Sequence, residues 1–361
     1  MDTQGTYDVV VVGGGQAGLG FGHELAARGV SFLIVDAGKG PGASWRTRWD
    51  SLRLFTPAGL SALPGLPFPG PPEHLPTKDE VADYLAAYHS NFDLPVRWRT
   101  PVHRLAAGGE GYVLQTPCET LTARAVVVAT GPFQRPRLPR AARSLDDEVC
   151  QVHSSAYRRP DQLPDGPALV VGGGNSGLQI ADELARTRPV TLALGSRHPF
   201  LPERVAGHSV FSWLDRLGLT RISRGSLLGR YLRRHEEVIV GDSPRLLARR
   251  RGVRLVGHVV ATRDVALVAT DGSVHRPRAV VWATGYVPDF SWVDLPVVAE
   301  DGWIRQEAGR TALPGLFTVG LPWQRTNGSA LLGWVGGDAA RLTDDVAAHA
   351  ETVHGRPARR P

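Results

Sequence analysis

Two stretches of this chain are built on one plan, and that repetition limits the fold more than any other feature. Residues 7–12 form an apolar run suited to a buried strand, and residues 13–18 read Gly-Gly-Gly-Gln-Ala-Gly. Residues 19–28 have helical character, and residues 31–36 are a second apolar run ending in Asp36. The order returns with an apolar run over 167–171 and the turn Gly-Gly-Gly-Asn-Ser-Gly over 172–177. A helical stretch over 178–186 and an apolar run over 190–194 complete the second unit. Each unit is followed, at nearly matched spacing, by a hairpin-like region and an apolar strand ending in Ala-Thr-Gly: Ala129, Thr130 and Gly131 first, Ala283, Thr284 and Gly285 second.

Both turns are G-x-G-x-x-G between a strand and a helix, the context in which that motif carries meaning. Gly13 permits the tight turn, Gly15 admits a pyrophosphate to the backbone, and Gly18 lets the helix lie close to the strand. The helix start at Gln16 and Ala17 offers free N–H groups to phosphates, and Asp36 is placed to accept hydrogen bonds from an adenosine ribose. Thr130 and Gly131 end the strand beside this site. In the second unit Gly172, Gly174 and Gly177 take the same roles, with Asn175 and Ser176 at the helix start and Gly285 ending the neighbouring strand. The position equivalent to Asp36 is Gly195, so the ribose acid is missing. Ser196 and Arg197 follow, a hydroxyl and a guanidinium suited to a ribose 2′-phosphate, which points to NADPH; the bland alternative is a solvated loop arginine.

The expected fold is therefore α/β, with two Rossmann-like dinucleotide-binding domains, the NADPH domain inserted into the other. Residues 1–137 and 286–361 would form the discontinuous first domain and residues 138–285 the second, with a helical insertion over about 200–250. That insertion has Val210, Phe211, Trp213, Leu214 and Leu217 near helical spacing, and Arg216, Arg221, Arg224, Arg230, Arg233 and Arg234 among and after them. It reads as a packed insertion with a solvated basic face, a lid, or a face that touches a membrane. Residues 51–76, rich in proline and glycine, read as an ordered loop. Thr77 with Glu80 is a capping box that opens a helix to about His89. Trp45, Trp49, Trp323 and Trp334 are core residues or pocket walls.

Composition narrows the classes. With 42% hydrophobic and 21% charged residues the chain is an ordinary globular one. Its net charge of +6 rests on arginine, since only Lys39 and Lys78 among 41 basic residues are lysines; this suits anionic ligands, and no basic run interleaved with aromatics suggests nucleic acid. Cys118 and Cys150 make no C-x-x-C pair, which argues against a redox dithiol. No apolar stretch reaches the ~18 residues of a membrane span, and the first strand follows the N-terminus at once, so stable membrane insertion is not expected and a cytoplasmic location is. No metal-ligand cluster or Ser-His-Asp order stands out.

Nearly the whole chain resembles the two-dinucleotide flavoproteins of the flavin-containing and Baeyer-Villiger monooxygenase type, in a short bacterial branch. The resemblance rests on both glycine turns, both Ala-Thr-Gly strands, Gly42-Ala-Ser-Trp45-Arg46 leading to Leu52-Arg53-Leu54, Leu75-Pro-Thr77, Pro314-Gly-Leu-Phe317 and Ser329-Ala-Leu-Leu-Gly-Trp334. It implies that FAD sits in the first turn, is reduced by NADPH, reacts with molecular oxygen to a peroxyflavin, and passes one oxygen atom to a small organic substrate. By position it implies that Ser44, Trp45, Arg46 and Arg53 line the FAD site. From the residues themselves, Gly320, ending an apolar run over 316–319, would bring backbone against the flavin or is an ordinary strand-ending turn glycine, and a helix within 333–346 would point its N-terminus at the ring. The chain departs from the monooxygenase fingerprint before His153, with Asp147 for Phe and Val149 for Gly, and has Thr56-Pro57 for Thr-Asn; His153 and Tyr157 fit. A reductase passing electrons to a protein or quinone, and a redox-sensing flavoprotein without catalysis, remain open on the residues.

Overall fold

The computed structural model describes residues 5–109, 111–195, 198–234 and 238–353. Among these, a 7-stranded sheet is built around the strand Gly5–Val12. Phe32–Val35 and then Val96–Arg97 pair parallel on one side of it, and Thr120–Val128 pairs parallel on the other. Thr120–Val128 then serves two neighbours along its length: Gly111–Gln115 runs antiparallel to its first half, and Leu316–Thr318, from far along the chain, pairs parallel with Val126 to Val128. Val9 to Val12 and Val126 to Val128 are buried, as expected for strands covered on both faces.

A second sheet of 5 parallel strands runs in the order Arg254–Val256, Val190–Ala193, Ala168–Val171, Ala279–Trp282, Cys150–His153. Its three central strands are likewise apolar and almost wholly buried. The two chain crossings between the sheets pair with each other, Arg135–Pro136 antiparallel to Tyr286–Val287. One apolar cluster runs through both units, from Val9, Phe21 and Trp49 to Leu178, Leu192 and Val281, so the units share an apolar boundary.

Helices cover the sheets where the sequence periodicity demands. Gln16–Ala27 lies against the long helix Leu332–Val353, whose Val335, Ala339, Leu342, Val346 and Ala350 form one buried stripe. Lys78–Asn91 opens with the expected box: Thr77 Oγ1 accepts from the Glu80 amide, and the Glu80 carboxylate accepts from the Thr77 amide at 2.7 Å. Burial raises the Glu80 carboxyl, but its hydrogen bonds from Thr77 and His74 outweigh that and hold it at about 2.

The stretch expected to be a helical insertion is only partly so. Helices Val210–Arg216, Leu227–Arg234 and Pro244–Arg251 are present, but a small hairpin, Arg204–Val205 with His208–Ser209, precedes them. Ala206 and Gly207 both have positive φ, the geometry of a two-residue hairpin turn, and an Ala-Gly pair does not advertise it as Asn-Gly would. Among the described residues no helix is long and apolar enough to cross a membrane.

Candidate cofactor and substrate site

The two glycine turns repeat in three dimensions as they do in sequence. Gly13 and Gly172 have φ of +113° and +126°, which L side chains rarely adopt. A methyl group on Gly13 would lie 2.7 Å from the Ala129 carbonyl oxygen, and one on Gly172 would be closer still to that of Ala283. Methyl groups on Gly18 and Gly177 would collide with the carbonyls of Gly13 and Gly172. The Ala-Thr-Gly strand and the helix thus both press on the turn. By contrast, a methyl on Gly15, Gly131, Gly174 or Gly285 would meet no protein atom within 4 Å, so these four backbones border open space.

Both helices begin without a side-chain cap, at N-cap residues Gly15 and Gly174. Their first amides, including those of Gln16, Ala17, Asn175 and Ser176, lack intrahelical acceptors and face the space beside Gly15 and Gly174 as a ready anion cradle. Asp36 stands at the end of Phe32–Val35 with Oδ2 accepting from the Gly14 amide and Oδ1 from the Gly38 amide, each at 2.6 Å. Each oxygen keeps a second lone pair for a ribose hydroxyl. In the second unit Gly195 occupies the equivalent place, and its Cβ position is 3.3 Å from His258 Nδ1. Ser196 and Arg197 lie outside the described residues.

Gly320 joins the first cradle: its φ is +82° and a methyl there would sit 2.6 Å from the Ala17 Cβ. Gln16 Nε2 donates to the Ala330 carbonyl at 3.0 Å, tying the first helix to the segment that opens Leu332–Val353. Thr130 Oγ1 and the Gly131 carbonyl both accept from Gln134 Nε2 at 2.8 Å, a partner that no motif announced. Trp45 packs against the core, while Ser44 is exposed beside it. Arg46 turns to the surface, where it meets Asp83 at 2.6 Å and Asp79 at 4.0 Å, and exposed Arg53 donates to the Leu75 carbonyl at 3.3 Å. Neither guanidinium is directed by protein contacts into the cradle. Trp49 Nε1 is buried without a protein acceptor among the described residues, a donor free for a bound group.

A cavity of about 230 Å³ opens among Leu60, Ala62, Asp215, Arg221, Gly333 and Trp334. Its floor is the start of Leu332–Val353 and the turn that follows Thr56-Pro57, and its wall is the insertion. Two clips fix that wall. Glu73 accepts from the Ser209 amide at 2.7 Å, the Ser212 hydroxyl at 2.9 Å and His208 Nδ1 at 3.2 Å, which keeps its carboxyl below the ordinary range. Asn327 accepts from the Ile222 amide at 3.1 Å and donates to the Leu219 carbonyl at 2.7 Å. Behind the lining Trp334 stand Phe211 and then Phe55, an aromatic row with successive centroids 6.2 and 5.4 Å apart. A larger hollow of about 470 Å³ beside Asp50, Arg158, Arg159 and Asp161 is lined by no glycine-turn residue. Among the described residues no group of three His, Cys, Asp or Glu could hold a metal.

His153, which with Tyr157 survives from the fingerprint, sits where the units join. Its Nε2 donates to the Gly285 carbonyl at 3.0 Å, and its Nδ1 accepts from the Ser155 amide at 3.1 Å, so the neutral ring is fully used. Its ring meets Tyr286 edge-on at 5.3 Å, and Arg48 donates to the Tyr286 hydroxyl. Val149, in place of the fingerprint glycine, is buried in a core cluster with Leu145 and Leu169.

Residues 10–205 match the pyridine nucleotide-disulphide oxidoreductase family. An uncharacterized CzcO-like oxidoreductase of Geobacillus kaustophilus is 41% identical over 95% of this chain and 99% of its own. A flavin-containing monooxygenase from Stenotrophomonas maltophilia superposes with a TM-score of 0.80 at 31% identity, covering 96% of this chain and 99% of that one. The indole-3-pyruvate monooxygenase YUCCA1 of Oryza sativa is 28% identical over 93% of this chain and 90% of its own length.

Burial lowers the His153 pKa, the bond to Gly285 opposes this, and Arg48 adds to the lowering. A base whose folded pKa lies below its unfolded value contributes stability that is complete above about 6.5 and is lost as pH falls through the folded value. The wild type is therefore expected to lose thermal stability on acidification below that point, at up to about 1.4 kcal/mol per pH unit for one proton. His153→Gln should flatten this slope. Melting temperatures of both proteins from pH 7.5 down to 5 check it, and equal slopes would mean that His153 does not titrate with unfolding.

Proposed function

Because the chain belongs to the pyridine nucleotide-disulphide oxidoreductase family, we propose that it is a cytoplasmic FAD flavoprotein that is reduced by NADPH and oxygenates a small organic molecule. The observation that carries this reading is the pair of matching cradles, each with an uncapped helix start and open space beside Gly15 or Gly174. An FAD pyrophosphate fits the first, with Asp36 for the ribose and the buried Trp49 N–H as a further donor. The second suits NADPH: Gly195 removes the acid that a 2′-phosphate would repel, His258 lies beside it, and Ser196 and Arg197 follow in sequence. When bound, FAD supplies the redox chemistry, from hydride acceptance to oxygen activation.

The protein's own residues bind, orient and exclude water. The cavity beside Trp334 and Leu60, walled by the clipped insertion, offers about 230 Å³ to a small molecule. Cys118 and Cys150 are both free cysteines, which disfavours a dithiol reductase. The departures at Asp147, Val149 and Pro57 favour one second reading, an NADPH reductase that hands its electrons to an external acceptor. Incubation with NADPH, ¹⁸O₂ and a panel of apolar carbonyl, amine and sulfide compounds separates the two. Incorporation of one labelled atom into product is expected, and NADPH consumption with unlabelled compounds throughout would favour the reductase.

The cradles make a paired prediction. Gly15→Ala should fold normally, because its methyl meets no protein atom, yet purify without FAD, because the methyl occupies the phosphate space. Gly174→Ala should keep FAD and slow its reduction by NADPH at least about tenfold at low NADPH concentration. Absorbance at the flavin band and stopped-flow reduction read both, and full FAD occupancy in Gly15→Ala would refute the first assignment.

Arg197→Ala is expected to raise the KM for NADPH by about ten- to a hundredfold, the worth of one charge-assisted contact, while leaving the KM for NADH nearly unchanged. Steady-state kinetics with both nucleotides decide it. Equal effects on the two would make Arg197 a solvated loop residue.

A further inference from the structure

We propose that the insertion docks on the surface of an anionic lipid bilayer through the helix Leu227–Arg234 and the turn at Leu217. Leu227 is 79% exposed, Leu217 69%, Tyr231 60% and Leu228 47%, four large apolar side chains facing water within fifteen positions of one segment. On the helix they are not scattered. The 3.6-residue period gathers Leu227, Leu228 and Tyr231 on one side, while buried Gly229 faces inward against the Ser223 backbone. The helix thus packs by its glycine and turns its apolar stripe outward, the reverse of a helix whose apolar face serves the core.

Charge identifies the partner. Arg216, Arg221, Arg224, Arg230, Arg233 and Arg234 surround the stripe in sequence, against one acid, Asp215, between positions 215 and 234; Glu236 and Glu237 follow, outside the described residues. Arg230 and Arg233 are exposed, and Arg230 borders the stripe on the helix. Arg216 rests over the Trp213 ring at 5.3 Å, an arginine–aromatic pair suited to the level of lipid headgroups. An exposed apolar stripe flanked by Arg230, on a segment whose charges are almost all guanidinium, matches a membrane interface that is apolar below and anionic above. A second copy of the chain would instead set arginines against arginines. Leu217 lies between the cavity-lining Asp215 and Arg221, so docking brings the cavity rim to the bilayer, from which an apolar substrate enters. That last step rests on the function proposed above; the docking does not.

The test is co-sedimentation of the FAD-loaded full chain with vesicles, without any assay of activity. Binding is expected to phosphatidylcholine vesicles holding about one third phosphatidylserine, not to phosphatidylcholine alone, and to fall steeply as salt approaches ~0.5 M. Leu227→Ser with Leu228→Ser should weaken it at least about tenfold, and Arg230→Glu with Arg233→Glu should abolish the preference for phosphatidylserine, with circular dichroism and flavin content unchanged in both. Wild type left in the supernatant with anionic vesicles overturns the proposal. So does equal sedimentation of the serine variant, or a lipid-free dimer that this variant converts to monomer.

Discussion

Everything functional in this chain depends on backbone lying against backbone at two glycine turns. At Gly13 and Gly172 the turn abuts the carbonyl of Ala129 or Ala283, and at Gly18 and Gly177 the helix abuts the turn. No side chain can stand between these layers. The same compression aims each helix start, uncapped, at the open space beside Gly15 and Gly174. Amides left without a partner destabilise the free protein, and an anion that binds them returns that free energy by linkage, so occupancy and stability rise together.

The second layer of organisation joins the two units. Paired crossings at Pro136 and Tyr286, the His153 bond to Gly285, and a continuous apolar cluster make the boundary a shared core. The insertion sharpens this. By sequence it belongs to the second unit, but Glu73 and Asn327 fasten it to the first. The cavity beside Trp334 therefore takes its walls from both units, with Glu73 and Asn327 holding the insertion in place beside it.

The parts legible in the sequence are those in which local chemistry has no substitute. Positive φ and contact closer than a methyl allows admit only glycine, so Gly13, Gly18, Gly172 and Gly177 announced two dinucleotide folds. Thr77 and Glu80 announced a helix start, and the helix runs to Asn91, two residues beyond the expected His89. The cavity and its clips were not legible. Glu73 meets Ser209 across more than a hundred positions, and a single long-range carboxylate leaves no period or spacing to read. Arg46, brought in by resemblance, is held by Asp79 and Asp83 on the adjoining helix, a contact equally silent in the sequence.

The strand Thr120–Val128 carries a consequence for how the molecule is made. Its second half borders Leu316–Thr318, so the first sheet stays one strand short until the chain has been extended beyond residue 318. The inserted unit has all five of its strands by Trp282 and can close first, as a nascent chain grows. The earlier residues meanwhile keep Val126 to Val128 with an unfilled edge. Synthesis order and folding order are thereby crossed: the unit begun first is finished last, and the partner it waits for must close a loop of nearly two hundred residues around a body already folded.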